Sequence, residues 1–434
     1  MHDAAEYISY DDASMLIRNL PIVLALTILI QAEPLPIVSA AQTGFDTARL
    51  ARIEKMMTSH VEANHMSGAI GLVARNGKIG YFETYGFMDA ATKKPMRKDS
   101  IFRIYSMTKA VTGVAVMMLF EEGKFNLNEP VSKYLPEYAN MRVAIEKTDE
   151  AGKRVSYTVP AERQITIRDL MRHTSGLDYQ GPKDDQGRSV FAQLKMQEPG
   201  IDLAEMSRRL AKAPLIHQPG STFHYGLSID VLGRLVEVAS GQPLDQFFEE
   251  RILKPLGMVD TAFYVPEAKW DRLVTLYSPK ADGTVAVFAG AAQDSYKKKP
   301  SVFAGGAGLA STAMDYARFC QMLLDGGQLE GKRLISRKTV EMMSADHLGD
   351  LPRMGGMGAI PTGHGFGLTF AVSQGPGKTG VLGSNGEYFW GGAAGTRFWI
   401  DPKENMIGVF MVNILPPQFE AGGQFKQLVY QSLE

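Results

Sequence analysis

Ser106 and Lys109 stand three residues apart at the head of an apolar run, Ala110-Val111-Thr112-Gly113-Val114-Ala115-Val116-Met117-Met118-Leu119-Phe120. A stretch that is apolar on every side predicts a buried helix. At this spacing both side chains leave its first turn on nearly the same face. A serine hydroxyl becomes a nucleophile when a neighbour takes its proton, and a neutral amine one turn away can do that. Burial at a helix N-terminus favours the uncharged amine, so the sequence predicts a neutral Lys109. The free N–H groups of that turn could face a developing oxyanion. Ser-x-x-Lys alone is weak, since roughly one chance match is expected in a chain of this size. Ser295-Tyr296-Lys297-Lys298 is such a match, but Lys299 and Pro300 follow it, predicting a solvated loop. The alternative role for Ser106 is a helix N-cap.

Two further constellations could complete a site. Phe223-His224-Tyr225-Gly226-Leu227-Ser228 follows Pro219-Gly220. Beside a lysine, Tyr225 could carry a proton to a leaving group, or be an ordinary half-buried tyrosine. Phe389-Trp390-Gly391-Gly392-Ala393-Ala394-Gly395-Thr396 places glycines within a strand pattern. Such glycines mark a bulge or the close approach of a ligand or another backbone.

The elements that must position these residues can be read from periodicity. Residues 45–64 carry one apolar face at helical spacing: Leu50, Ile53, Met56, Met57 and Val61. Residues 69–74 and 78–85 are strand-like around Arg75-Asn76-Gly77, a hairpin signal. Residues 100–105 then deliver the chain to Ser106. No Gly-x-Ser-x-Gly occurs, so an α/β-hydrolase elbow does not present this serine. Beyond Gly123, residues 147–155 read as a polar loop, and helices are expected near 167–172, 202–211 and 230–239. Strand patterns are scarce from 131 to 300 and return at 365–372, 387–390, 396–400 and 406–414, before a last helix over 424–433. The pattern predicts an α/β domain built from residues 42–130 and 301–434, with a mostly helical domain, 131–300, inserted between. The catalytic helix is expected at their junction, where clefts are common.

Residues 20–30 form an apolar run too short to span a bilayer comfortably. Arg18 before it and Val38-Ser39-Ala40 after it fit an export signal, giving a segment 1–41 that precedes the folded chain. The acidic lead (Asp3, Glu6, Asp11, Asp12) fits badly, and initiation at Met15 would remove it. Hydrophobic residues make up 45% and charged residues 21% of the 434, an ordinary globular balance. A net charge of −1 without a basic cluster argues against a nucleic-acid partner. The single cysteine, Cys320, excludes an internal disulfide and a Cys-rich metal site, and its apolar helical surroundings predict a core thiol. No His-Glu-x-x-His occurs, so no metal site is expected.

Ser106-Met107-Thr108-Lys109, Tyr225 and Trp390-Gly391-Gly392 occur in the order found in the family VIII carboxylesterases. Those are serine hydrolases of the class C β-lactamase and penicillin-binding-protein superfamily. The chain resembles them also at His173-Thr174-Ser175-Gly176-Leu177, Pro255-Leu256-Gly257-Met258 and Gly305-Gly306-Ala307-Gly308-Leu309-Ala310-Ser311-Thr312. The resemblance implies a β-lactamase-like α/β (α+β) fold, an antiparallel sheet flanked by helices. It implies Ser106 as the acylated nucleophile, Lys109 as its proton acceptor or electrostatic partner, and Tyr225 as second base and acid. The N–H groups of Ser106 and Ala393 would form the oxyanion hole. Leu227, Trp390, Gly391 and Gly392 would face substrate, and no cofactor or metal is implied.

Two departures bear on substrate. Class C β-lactamases carry Tyr-x-Asn, where this chain has Leu227, and a lysine where it has Trp390. Losing an amide and a cation points away from an anionic β-lactam and toward small, short-acyl esters. The alternatives are weak β-lactamase, D-peptidase or acyltransferase activity at the same site, or a catalytically silent cell-wall-binding relative. The oligomeric state is not legible.

Overall fold

Asn76 and Gly77 both take positive φ, 55° and 71°. That is the conformation of a tight hairpin whose twist matches its strands. It joins β1 (Gly68–Arg75) to β2 (Lys78–Asp89), and β3 (Lys94–Pro95) folds back on β2. The C-terminal part supplies β4 (His364–Phe366), β5 (Ala371–Gln374), β6 (Asn385–Gly391), β7 (Arg397–Asp401) and β8 (Met406–Met411). These eight make one antiparallel sheet in the order β4-β5-β6-β7-β8-β1-β2-β3. The two chain ends meet where β1 pairs β8, with Ile70 opposite Met411 and Leu72 opposite Val409. The computed structural model describes residues 35–148, 150, 154–182, 189–196, 198–417 and 420–434. The apolar run at 20–30 lies outside the described residues, and Glu33–Glu434 forms one compact unit.

Period-two alternation sends each strand's side chains to both faces. Val73, Trp399 and Phe410 meet Ile53 and Met57 of α1 (Arg52–Glu62) on one face. Ile70, Leu72, Phe398, Ile400 and Val409 join the larger core with α2 (Thr108–Glu121) on the other. Along the chain follow α3 (Ile167–Met171), α4 (Leu203–Leu210), α5 (Ser228–Ser240), α6 (Leu244–Phe248), α7 (Ala313–Leu324) and α8 (Ala421–Tyr430). Phe425 and Val429 of α8 close the first face. From Thr108 to Leu119 every residue of α2 is buried, as an all-round apolar sequence requires. Each large aliphatic side chain so buried contributes about 1.5–3 kcal/mol. Cys320 is a buried free thiol on α7.

The structure departs from the pattern in two stretches. Within the stretch expected as a loop, 147–155, Lys147 and Thr148 pair with Val155 and Arg154, in a hairpin of Arg142–Thr148 with Arg154–Pro160. Its base is fixed by exchange of hydrogen bonds with Leu215, while Glu146, Lys147 and Thr148 are exposed and give no apolar alternation. The strand expected over 365–372 is two strands, broken where Gly367 N–H donates to the Phe370 carbonyl. Thr369 takes φ 79° there and lies against Gly113 of α2, where a Cβ would come within 2.3 Å of its hydroxyl. Packing on α2 overrides the local strand preference.

Candidate active site

Ser106 sits in a short 3-10 turn, Tyr105–Met107, immediately before α2. Phe102–Arg103 leads in, paired with Ala310–Ser311. Four contacts grip the turn. Ile104 N–H donates to the Leu309 carbonyl, and Leu309 N–H donates to Thr108 Oγ1. The Thr112 hydroxyl donates to Gly305 O at 2.6 Å, and the Tyr316 hydroxyl to Met107 O at 2.8 Å. Tyr105 is held at φ +42°, a left-handed conformation costing roughly 1–2 kcal/mol for a non-glycine residue. The nucleophile candidate thus sits on a strained turn that its surroundings hold in place.

Lys109 is fully buried, and its ammonium has three acceptors: Ser106 Oγ at 3.1 Å, Tyr179 Oη at 3.1 Å and Gly306 O at 2.7 Å. It also lies 4.6 Å from the centre of the Tyr225 ring. Burial pulls its pKa down, as the sequence suggested, while electrostatic interaction with Tyr179, Tyr225 and Asp230 pushes it up, and the net direction is upward. A neutral amine therefore does not follow from burial alone. An ammonium with three protons meets three acceptors, and desolvation alone does not decide its charge.

Tyr225 is nearly buried, and its hydroxyl accepts a hydrogen bond from Trp390 Nε1–H at 3.2 Å. Their rings lie 5.3 Å apart between centres. Trp390 is the last residue but one of β6, and its indole is a partner of Tyr225, which apolar character alone did not suggest. Gly391 closes the strand opposite Arg397. At Gly392 a Cβ would come within 2.4 Å of the Ile104 carbonyl oxygen. Only glycine lets this backbone lie against the turn that carries Ser106. Ala393 follows, exposed, and its N–H donates to no backbone carbonyl among the described residues. Leu227, half-buried, is the N-cap residue of α5. The second Ser-x-x-Lys lies elsewhere: Ser295 is exposed in a 3-10 turn and donates to Ala292 O.

Two residues at the site, Tyr179 and Asp230, had no motif of their own, and a third, His173, stood in a motif that gave it no role. Tyr179 accepts from Lys109, and burial raises its pKa so that it stays a phenol. Its only signal was position, two residues after His173-Thr174-Ser175-Gly176-Leu177. Asp230, buried on α5, accepts from Gly306 N–H at 3.1 Å, so a single residue, Gly306, links it to Lys109. Burial raises its pKa, against the pull of Lys109. His173, fully buried at φ +55°, accepts from Gly226 N–H through Nδ1 and packs 4.7 Å from the Tyr225 ring. Burial, with Lys109 nearby, holds its pKa well below the ordinary value. No cluster of three or more potential metal-ligating side chains occurs among the described residues.

The beta-lactamase family profile matches residues 53–431. The chain belongs to that family. An esterase of Burkholderia gladioli, EstB, is 31% identical over 394 residues, 85% of this chain and 92% of its own length. An uncharacterised protein of Mycobacterium tuberculosis is 36% identical over 361 residues, 82% of this chain and 88% of its own. Among solved structures, EstCE1, described as a hydrolase with promiscuous acyltransferase activity, aligns with a TM-score of 0.72 and 27% identity. That alignment covers 89% of this chain and 98% of EstCE1. This chain is a serine hydrolase of the same superfamily.

Proposed function

We propose that the protein hydrolyses small, short-acyl carboxylic esters through an acyl-Ser106 intermediate. Ser106 Oγ attacks the ester carbonyl carbon, and its proton passes through Tyr225 to the departing alkoxide. Lys109, an ammonium, holds Ser106 Oγ and Tyr179 in place as the electrostatic partner. The N–H groups of Ser106 and Ala393 receive the carbonyl oxygen as it becomes negative; one such donor typically carries about 3–4 kcal/mol. Water then attacks the acyl carbon, the carboxylic acid leaves, and Ser106 regains its proton.

The observation that carries this reading is the Trp390–Tyr225 hydrogen bond. A tryptophan is a donor only, so its bond to Tyr225 Oη leaves the tyrosine's own proton free to point at another group. It also spends the one polar atom of Trp390 inside the site, so this position offers no cation to a carboxylate-bearing β-lactam. The named esterase relatives support the ester class. Fluorophosphonate labelling read by intact mass tests the nucleophile, and p-nitrophenyl butyrate against a chromogenic cephalosporin tests the substrate. An unlabelled, folded protein would overturn the proposal, as would a preference for the cephalosporin. Acyl transfer to an alcohol is a second reading, favoured by the likeness to EstCE1, and would appear as ester product that depends on added acceptor.

A further inference from the structure

Tyr179 and Tyr225 come from separate segments, and both must reach Lys109. Their neighbours in sequence are joined to each other. His224 Nε2–H donates to Asp178 Oδ1 at 2.8 Å, and the same oxygen accepts the Tyr179 N–H at 2.6 Å. One carboxylate oxygen therefore ties the backbone of one tyrosine to the side chain next to the other. The side chains are mostly buried, 15% exposed for His224 and 20% for Asp178, so solvent screens this pair less than a surface one. The carboxyl pKa of Asp178 stays below its ordinary value because, although burial raises it, the His224 and Tyr179 hydrogen bonds more than compensate.

The two segments also touch along the backbone. A Cβ at Gly226 would come within 2.1 Å of the Leu177 carbonyl oxygen and 2.7 Å of Asp178 Cα. His224 N–H donates to the His173 carbonyl at 2.8 Å. The result is a ring-centre separation of 5.6 Å between Tyr179 and Tyr225, with the Lys109 Nζ 5.8 Å and 4.6 Å from the respective centres.

We infer that Asp178 and His224 form a positioning clamp that fixes the two phenols around Lys109, and that the clamp governs turnover more than substrate binding. This rests on the reading of Ser106 as the acylated nucleophile. The Lys109 ammonium is hydrogen-bonded to Ser106, Tyr179 and Gly306 and to neither clamp residue. The clamp's effect is on where the proton carrier stands, and displacement of a reacting group by about 1 Å can cost on the order of a hundredfold in rate.

The test compares His224→Leu, which removes the donor, with His224→Gln, whose amide N–H can stand near the imidazole Nε2–H. Asp178→Ala removes the acceptor. Each variant is assayed for p-nitrophenyl butyrate turnover, fluorophosphonate labelling and melting temperature. His224→Leu and Asp178→Ala should lower kcat by about a hundredfold with KM within about threefold, and His224→Gln should recover to within about fivefold of the parent. Equal activity of the Leu and Gln variants would overturn the clamp, as would losses that only follow melting temperature, or a rise in KM at constant kcat. An unlabelled parent protein would instead overturn the nucleophile assignment, and the clamp with it. A labelled parent with unimpaired clamp variants would overturn the clamp alone.

Discussion

The Trp390 indole N–H donates to the Tyr225 hydroxyl across 3.2 Å, joining the end of β6 to the segment that leads into α5. Trp390→Phe keeps an aromatic ring between Tyr225 and Phe366 and removes only that donor. One hydrogen bond of this kind contributes about 1–1.5 kcal/mol, so kcat for a short p-nitrophenyl ester should fall about tenfold with KM little changed. If Trp390 served only as an apolar wall for substrate, KM would rise and kcat would hold.

Ser106→Ala should lower kcat by several orders of magnitude, as loss of a nucleophile does in other serine hydrolases. Ser295→Ala, at the exposed second motif, should stay within about twofold of the parent. Equal losses in the two variants would show the nucleophile to be misplaced.

Lys109→Met and Tyr225→Phe should each reduce kcat by roughly a thousandfold, and the double variant should be little worse than either. Residues that act as a unit do not lose activity additively. Multiplying losses in steady-state assays would instead mean two independent contributions. Lys109→Met also leaves three acceptors without their donor, so its melting temperature should fall as well.

Stability should fall with rising pH through Asp315. Burial pushes its carboxyl from 3.8 up to about 6, against hydrogen bonds from Asp260 N–H and the Thr261 hydroxyl. The folded state therefore holds the proton more tightly than the unfolded chain. This contribution is fully present below about pH 4 and is lost as pH climbs through about 6, an effect on the order of 3 kcal/mol. Asp315→Asn cannot ionise and should lack that decline. Urea titrations from pH 4 to pH 8 should show the variant gaining on the parent across this window, and parallel curves would refute the assignment.

An export signal cleaved after Ala40 would remove residues the fold uses. Val38 N–H donates to the Ile79 carbonyl, Ile79 N–H to the Pro36 carbonyl, and Leu35 is buried. A chain beginning at Ala41 should therefore melt lower than one beginning at Glu33, by roughly 3–5 kcal/mol of stability for Leu35 and the two edge bonds together. A reporter fused to residues 15–41 tests secretion itself, and recovery of uncleaved cytosolic product would count against export.

The order of Ser106, Tyr225 and Trp390 was legible because each stands in a local motif, and β1, β2, β6, β7 and β8 were legible as strand-like runs, while β3 was not read and β4 with β5 was read as one strand. The charge on Lys109 was not. Desolvation can be read from an apolar helix, but the acceptors that oppose it, Tyr179 and Gly306, come from segments 70 and 197 residues away. Tyr179 carried no periodic or motif signal, and Trp390 was readable as apolar surface because its bonded N–H depends on where Tyr225 falls. The hairpin at 142–160 was hidden by exposed polar residues on its outer half, and the break at Gly367–Phe370 by a continuous apolar run.

The pairing of β1 with β8 sets when this enzyme can first work. Ser106 is synthesised long before Gly392 and the strand that centres the sheet. Contacts of such long sequence separation form slowly, because loop-closure entropy must be met before they stabilise anything. The nucleophile therefore remains an inert serine on an unsupported turn until β8 has been made. A chain truncated before β8 should therefore be catalytically silent.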